Sequence, residues 1–460
     1  MAKPRRLHPA AVAVYSASAL RNFAFPLVVI VTVTLFGGAF DGRGLLRALA
    51  YGGIGLAMAL VTGVIRYRTT HYTLDAEAIH HHTGLLSTKD TDVRLDRIQA
   101  IDVHQGPLQR WFGVYAVDVQ TGAGAKGGEI SLPALTPAAV AELRAARPGA
   151  AVAGEDAPDL PSRRLRPREL AVAALTAGQL GIVVPVLAGA FQVIQQLFDP
   201  EQGEEAVRWL PHTVTAVVLG AAALLVLAWL LSTAGAVVAF GGFTLIRDGD
   251  RLRIRRGLVQ RSEATVPVSR VRAVRVVEGV FRRPFGLAAL TIEVTGYADE
   301  AAAARTLFPL VRVSDVRALL DEFLPELADD PGGLERPPAR AARRYYLWPL
   351  LIGAAFTVAA WFAVGPYALL VLALAALYGR AHWGAAGWRL SDGRLAVRSM
   401  LLARTTVLAP AHFRESHTVA QNVFQRRASL ADLSVAFGKQ TTARIRHLDT
   451  TVAHEAWDAL

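Results

Sequence analysis

Six long apolar stretches, arranged in three pairs, restrict what this 460-residue chain can fold into. A helix needs about 17–25 mainly apolar residues to cross the hydrocarbon core of a bilayer. Because Gly365-Pro366 separates the last two stretches, the sequence favours a hairpin there over one long tilted helix. The six stretches span approximately 23–40, 45–65, 170–197, 212–240, 346–364 and 366–383. We therefore predict six transmembrane helices in three pairs.

Charged residues are missing from the centres of these stretches. None of the centres carries Asp, Glu, Lys, Arg or His, the residues that usually mark transport pathways and proton relays inside a membrane. Their absence argues against a transporter. A set of glutamines in the third stretch keeps a transporter or flippase-like component of a membrane complex open as the alternative function. That set is Gln179, Gln192, Gln195 and Gln196.

The charged flanks of the three pairs predict their orientation. Arginine-rich runs precede the first stretch of each pair and further arginines follow the second, whereas the largest opposite loop, 198–209, is acidic. Since cytoplasmic flanks carry the excess of basic residues, both termini and the three large polar regions are expected in the cytoplasm. A second apolar stretch follows the first where a signal peptide would have its cleavage site, so no cleavable signal is expected. The expected location is the plasma (cytoplasmic) membrane, with several passes.

The three polar regions repeat one pattern of strands followed by a helix. Each begins with short alternating strands around an Asp or Asp-Gly turn, and each ends with a Ser- or Thr-started amphipathic stretch. This spacing indicates a duplicated domain and not a solenoid. Domains are predicted at 67–148, 241–327 and 386–460, helix pairs within 1–66, 170–240 and 346–385, and linkers at 149–169 and 328–345.

A nine-residue motif recurs within the repeats. It reads "QGPLQRWFG" at 105–113, "EGVFRRPFG" at 278–286 and, in a weaker form, "QNVFQRRAS" at 421–429. A Gly-Leu turn precedes it in the first two repeats, at Gly84 and Gly257. The third repeat diverges, because Met400 replaces that glycine and Ala428-Ser429 replaces the Phe-Gly end.

With its helix pairs, "TGLL", "RIQ" and "LQRWFG", the chain resembles the bacterial PH-like domain of YdbS/YdbT-type membrane proteins. Three copies on three helix pairs resemble the longer, three-repeat member of that family. The resemblance implies a membrane α-helical plus β fold, in which each helix pair is followed by a seven-stranded, partly open cytoplasmic β-barrel with a C-terminal capping helix. It implies no established enzymatic activity.

The recurrent motif has a structural and a functional interpretation. In the structural one, Phe112 and Phe285 plug the barrel while neighbouring glycines permit tight turns. In the functional one, arginines beside the aromatic residues hold lipid phosphates, which suit the planar guanidinium group. The structural interpretation is favoured. Its residues are Gly84, Gly106, Phe112, Gly113, Gly257, Gly279, Phe285 and Gly286.

Basic residues give the chain a net charge of +11 and supply the candidate binding surface. Along a strand, Arg251, Arg253 and Arg255 share one face, so repeat two is expected to be the main membrane-surface module. For this strand a solvated sheet face is the favoured interpretation, and attraction to the anionic inner leaflet is the alternative. The candidate lipid- or partner-binding residues are Arg251, Arg253, Arg255, Arg256, Arg270, Arg272, Arg282, Arg283, Arg97 and Arg110.

Few residues suggest catalysis or a cofactor. The chain has no cysteine and none of the hydrolase, metalloprotease or nucleotide-binding motifs. The histidines at 80–82 are expected to be a polar strand face, and the glycine-rich stretch 122–128 a hairpin tip. We therefore expect a scaffold, not an enzyme, without cofactor, metal or nucleic acid. The expected partners are another membrane protein, a single-repeat PH-like relative among the candidates, and anionic lipids.

Overall fold

The computed structural model describes residues 4–20, 42–84, 88–121, 130–146, 160–176, 214–295, 305–438 and 441–460. The chain divides into two compact units. Unit 1 comprises Met1–Leu160, Arg251–Pro267 and Gly296–Ala304, and unit 2 comprises Pro161–Asp250, Val268–Thr295 and Arg305–Leu460. Repeat two is therefore shared between the units.

Short strands and a few long helices make up the described chain. The helices are α1 (Ala11–Leu20), α2 (Gly42–Thr69), α3 (Pro107–Trp111), α4 (Pro137–Ala145), α5 (Pro167–Thr176), α6 (Val214–Phe240), α7 (Val316–Phe323), α8 (Ala342–Val364), α9 (Leu369–Ala385), α10 (Val423–Arg426) and α11 (Thr450–Ala459). The strands of repeat one are β1 (Arg5–Arg6), β2 (His71–Leu74), β3 (Ala78–Thr83), β4 (Lys89–Arg94), β5 (Ile98–Gln105), β6 (Tyr115–Thr121) and β7 (Ile130–Leu135). Those of repeat two are β8 (Ser162–Arg164), β9 (Thr244–Asp248), β10 (Arg251–Arg256), β11 (Arg261–Pro267), β12 (Val271–Glu278), β13 (Leu287–Val294) and β14 (Thr306–Arg312). Those of repeat three are β15 (Gly387–Ser391), β16 (Arg394–Met400), β17 (Arg404–Pro410), β18 (Ser416–Ala420), β19 (Leu430–Ala436) and β20 (Thr442–Asp449).

The apolar helices contact one another in pairs, through small residues where they come closest. A Cβ atom at Gly63 of α2 would lie 2.1 Å from Oγ of Ser16 in α1. One at Gly353 of α8 would lie 2.5 Å from Cβ of Ala375 in α9. Such close backbone approach is typical of helix packing inside membranes. The α8–α9 hairpin, joined by a 3₁₀ turn at Gly365–Ala368, agrees with the hairpin that the sequence favours.

Fewer membrane-spanning helices are visible than the six predicted. Among the described residues, Leu49–Thr69 and Gly365–Ala385 are long and apolar enough to span a membrane, and Leu225–Phe240 is a shorter apolar helix. The predicted stretch 23–40 and most of 170–197 lie outside the described residues. So do the acidic loop, the four glutamines and the glycine-rich stretch of the sequence analysis.

Each helix pair has both of its ends fixed at one sheet edge. Strand β1 precedes α1 and pairs with β2, which follows α2. Likewise β8 precedes α5 and pairs with β9, which follows α6. In the third repeat Glu335 forms a bridge with Trp388, so segments before and after the α8–α9 hairpin again meet. Parts of the predicted tail and linkers thus belong to the sheets, and β1 and β8 bring the first two repeats to seven strands each.

Strands of successive repeats join into common sheets. In unit 1 the order β7-β6-β5-β11-β10 places β11 of repeat two beside β5 of repeat one. In unit 2 the order β14-β13-β12-β17-β16-β15 places β17 of repeat three beside β12 of repeat two. Both pairs are antiparallel. We call these two pairings the inter-repeat junctions.

The repeats are closed by the predicted amphipathic helices. Thr136 caps α4 by accepting a hydrogen bond from the Ala139 amide at 3.3 Å, and Asp449 caps α11 by accepting one from Thr451 at 3.2 Å. Leu143 of α4 packs into the apolar core of unit 1, and Ala453 of α11 packs into that of unit 2. The closing helices therefore cover the sheets as the sequence predicts.

The second junction contains a buried ion pair. Glu278 of β12 is 1% exposed, and Arg404 of β17 donates to both of its carboxylate oxygens, at 2.7 Å from Nε to Oε1. Removing one partner of such a pair leaves a buried charge uncompensated, which costs about 3–5 kcal/mol. We expect Arg404→Ala, which leaves the Glu278 carboxylate buried without its partner, to lower the unfolding temperature of unit 2 sharply, whereas Arg317→Ala on the exposed face of α7 leaves it nearly unchanged. Thermal unfolding of the purified chain measures both, and an equal, small effect would show that the pair contributes little.

Candidate functional site

The recurrent nine-residue motif forms an exposed tip in each repeat, and the prediction that its aromatic residues plug the barrel is wrong. Phe112 is 47% exposed and Phe285 is 72% exposed. Valines and leucines of the strands, among them Val117 and Leu132, fill the core of repeat one instead. The motif leaves the sheet as a single short turn, so its apolar side chains project outward.

The tip of repeat three keeps the same backbone although its sequence diverges. Gly113 and Gly286 end the first two tips with positive φ angles of 65° and 62°. Ser429 takes a φ of 51° at the matching position, a conformation that is unusual for a residue with a Cβ atom. The turn is therefore retained in all three repeats, including the one in which the Phe-Gly end is lost.

Further exposed apolar residues of the second and third tips were missed in the sequence analysis. Val280 and Phe281 are 64% and 60% exposed, and Val423 and Phe424 are 63% and 70% exposed. Trp111 plays the same part in repeat one at 85% exposure. The signal was the Val-Phe pair that two of the three motif copies share, which the sequence analysis did not single out. We define the three tips as 105–113, 278–286 and 421–429.

A second apolar loop lies beside each of the first two tips, contributed by the next repeat. The guanidinium of Arg110 donates to the carbonyl of Leu258 at 3.4 Å, and Leu258 and Val259 are exposed. Arg283 similarly approaches Sδ of Met400 at 3.8 Å, next to the exposed Leu401 and Leu402. Each junction therefore presents a tip and a loop together, with an arginine at their contact.

Tips two and three each contact an apolar helix. Arg282 donates to the carbonyl of Ala173 at 3.0 Å and to Oγ1 of Thr176 at 3.0 Å, both in α5. In repeat three the bond runs the other way, because Arg344 in the first turn of α8 donates to the carbonyl of Phe424. Each of these two tips is therefore held against a helix of unit 2.

These contacts remove Arg282 from the candidate binding residues. Its side chain is only 8% exposed, and burial lowers the pKa of its guanidinium. It also donates to the carbonyl of Pro309 at 3.1 Å. The prediction that Arg282 binds a ligand is wrong, because its buried guanidinium donates hydrogen bonds to α5 and to β14 and so holds the helix against the sheet.

The other candidate arginines are divided between the two units. Arg251, Arg253 and Arg255 do share one face of β10, opposite the buried Leu252 and Ile254. Unit 1 holds Arg97, Arg110, Arg251, Arg253, Arg255 and Arg256, and unit 2 holds Arg270, Arg272 and Arg283. Arg255 pairs with Glu263 at 3.4 Å, and Arg272 lies 4.7 Å above the ring of Phe413. The arginines of repeat two therefore do not lie in one compact unit.

The histidine run forms a polar strand face. His80 binds Asp92 at 2.6 Å and His82 binds Asp90, across the β3–β4 pair, while His81 is buried on the other face. Among the described residues, no group of three or more His, Asp or Glu side chains could hold a metal ion.

Titratable side chains gather at the first junction. His104 of β5 lies 2.9 Å from Oγ of Ser262 in β11 and 3.4 Å from Asp118 in β6. Burial disfavours the charged imidazole, but the hydrogen bond to Asp118 and the charges of Asp118 and Asp102 together raise the pKa of His104. Burial raises the pKa of the neighbouring Asp102 to about 7. These residues cross-link three strands, and the sequence analysis did not single them out.

Comparison with known proteins agrees with the family resemblance drawn from the sequence. A family model for the bacterial PH domain matches residues 25–146, 182–326 and 349–460, which together make up most of the chain. The chain is 23% identical over 473 aligned positions to the UPF0699 transmembrane protein YdbT of Bacillus subtilis (strain 168), a match that covers 95% of this chain and 93% of that protein. No solved structure matches it significantly.

The elevated pKa of Asp102 predicts that the stability of unit 1 depends on pH. The pKa of Asp102 is about 7 in the folded chain, whereas that of an unfolded Asp is about 3.9. The folded state therefore loses stability as the pH rises between those two values. The raised pKa of His104 acts in the same direction. We expect unfolding temperature to fall from pH 6 to pH 8, and Asp102→Asn to raise it at pH 8 and flatten the dependence. An unchanged slope in Asp102→Asn would assign the effect to other groups.

Proposed function

Because this chain belongs to the bacterial PH domain family and carries three matches to that domain, we propose that it is a polytopic membrane scaffold. Its PH-like modules engage the anionic cytoplasmic leaflet through their tips and present their remaining surface to a partner protein. The observation that carries this proposal is the exposure of Trp111, Phe281 and Phe424 on tips that adjoin apolar helices or basic residues.

Exposed aromatic residues next to arginines suit the boundary of a bilayer. Aromatic side chains favour the interface, where the ring reaches the acyl boundary. The contacts of Arg282 with α5 and of Arg344 with Phe424 hold tips two and three against apolar helices, which supports placing these tips near the membrane surface. Juxtamembrane arginines contribute about 1 kcal/mol each near an anionic surface. Together these features support leaflet contact over a purely solvated surface.

Three helix pairs crossing the membrane twice each are the topology that we propose. The pairing of β1 with β2, and of β8 with β9, supports this topology because a chain that leaves a sheet edge and returns to it crosses the bilayer an even number of times. The printed description of the Bacillus relative as a transmembrane protein also supports it. The protein then lies in the plasma membrane, with both termini and all tips on the cytoplasmic side.

The proposal assigns no reaction to the protein. Its partners are anionic lipids and another membrane protein, with no nucleic acid and no cofactor. The polar cluster at His104, Ser262 and Asp118 has the residue types of a hydrolase triad, but these side chains bridge neighbouring strands of the first junction. We therefore assign them to sheet stability.

The topology is tested by thiol labelling, since the chain contains no cysteine. An impermeant maleimide applied to intact cells should label the Gln202→Cys variant, which lies in the predicted outer loop. The Gln260→Cys and Asp458→Cys variants should react only after permeabilisation. Labelling of Gln260→Cys in intact cells would overturn the cytoplasmic placement of repeat two.

Leaflet contact is tested by removing one exposed ring. Because Phe281 is exposed, Phe281→Ser should change the free energy of unfolding by less than about 0.5 kcal/mol. In anionic nanodiscs it should nevertheless speed hydrogen exchange across residues 280–287, because the tip no longer shelters in the leaflet. Trp457→Ser on α11, a partly exposed ring outside the tips, is the matched control. Identical exchange in Phe281→Ser and the parent chain would contradict the proposal.

A further inference from the structure

The two inter-repeat junctions use equivalent strands. In each, the first strand after the short 3₁₀ turn of one repeat pairs with the strand that precedes that turn in the next repeat. These strands are β5 with β11 and β12 with β17. The same interface therefore occurs twice in the chain, and in both cases the earlier repeat supplies the strand after the turn.

The register of the two junctions is also the same. Gln105 lies opposite Arg261 in the first, and the aligned Glu278 lies opposite Arg404 in the second. The side chains at these positions differ, since only the second junction has a buried ion pair. What the junctions share is main-chain pairing, which accepts many sequences because the backbone supplies the hydrogen bonds.

The first and third repeats each have one strand that is equivalent to a junction strand but lies at the edge of its sheet among the described residues. Within this sequence, β4 of repeat one and β18 of repeat three are the equivalent strands that are not used in the two junctions. In the part of the chain that the structure describes, β4 is the last strand of the order β1-β2-β3-β4, and β18 is the first of β18-β19-β20. Lys89 and Asp90 of β4 and Ser416, Thr418 and Ala420 of β18 are exposed. An open row of backbone donors and acceptors is a template for another strand.

We propose that β18 of one chain pairs with β4 of a second copy of the same chain, forming a third junction between molecules. Carrying over the register of the two internal junctions places Ala420 opposite Lys89, and His417 opposite Asp92. The contact is head-to-tail, so repetition builds a ring if the rotation closes and a filament if it does not.

Charged residues on β4 do not exclude this pairing. Lys and acidic residues often protect an edge strand from association. However, β11 carries Arg261 and Glu263 and is nevertheless paired with β5 in the first junction. Glu263 there binds Arg144 at 3.3 Å and Arg255 at 3.4 Å. A junction strand can therefore carry charged side chains when these form ion pairs on the faces of the sheet.

Disulfide trapping between differently tagged full-length chains tests the proposal. One chain carries Ala420→Cys, the other carries Lys89→Cys, and both are reconstituted together in one bilayer and mildly oxidised. Both positions are exposed, so folding is preserved, which equal unfolding temperatures verify. We expect a covalent dimer that bears both tags and forms only in the mixture. Dimers formed by either variant alone, or no dimer in the mixture, would overturn the head-to-tail pairing.

A matched variant tests the register. Ser416→Cys lies four residues from position 420, about 13 Å along the strand, which exceeds the Cα separation that a disulfide spans. Mixed with Lys89→Cys it should give little dimer, and equal yields from both mixtures would indicate random collision and overturn the proposal.

Hydrogen exchange gives a second readout on the unmodified chain. Amides of β4 and β18 should exchange more slowly in densely loaded bilayers than in nanodiscs that hold one chain each. Amides of β17, already paired in the second junction, should not change. Equal amide exchange rates of β4 and β18 in both samples would overturn the proposal.

Discussion

Main-chain hydrogen bonds between strands of successive repeats are the interaction on which the rest of this structure depends. A strand at the edge of a sheet has unsatisfied donors and acceptors, and β11 and β17 meet that need by pairing with β5 and β12 of the repeat before them. Repeats of the sequence are therefore not the units of packing. Strands β10 and β11 belong to repeat two by sequence but to unit 1 by packing.

The same sheets position the helices and the tips. Short strands before the helix pairs return to the edge of the sheet that follows them, so each pair leaves and re-enters at one place. The tips project from the ends of β5, β12 and β18, and tips two and three contact α5 and α8. Exposed rings such as Phe281 and Phe424 place apolar surface in contact with water, and the proposed leaflet contact would cover that surface.

Local pattern was enough to predict much of the fold. The strand repeats, the closing helices, the hairpin at Gly365-Pro366 and the alternation of Arg251 and Leu252 along β10 follow from turn residues and periodicity. Local pattern was not enough for the junctions, because pairing between strands more than 100 residues apart leaves no periodic signal. Strand β1 consists of two arginines, which carry no strand preference of their own and pair only because β2 offers an edge. The tips were misread since an aromatic residue beside glycine was taken for core, whereas a protruding turn has no interior to bury it.

The depth of the tips in the bilayer tests the central claim most directly. Because the chain lacks cysteine, a nitroxide can be placed singly at Phe281→Cys or Phe424→Cys, with Asp458→Cys on α11 as the reference. Oxygen concentrates in the acyl region and a polar nickel complex in water, so relaxation by each reagent reports depth. Our account predicts that both tip labels are relaxed more by oxygen than by nickel in anionic bilayers, and the reference label the reverse. Nickel-dominated relaxation at both tips would contradict it, and would leave the exposed rings as contacts for a protein alone.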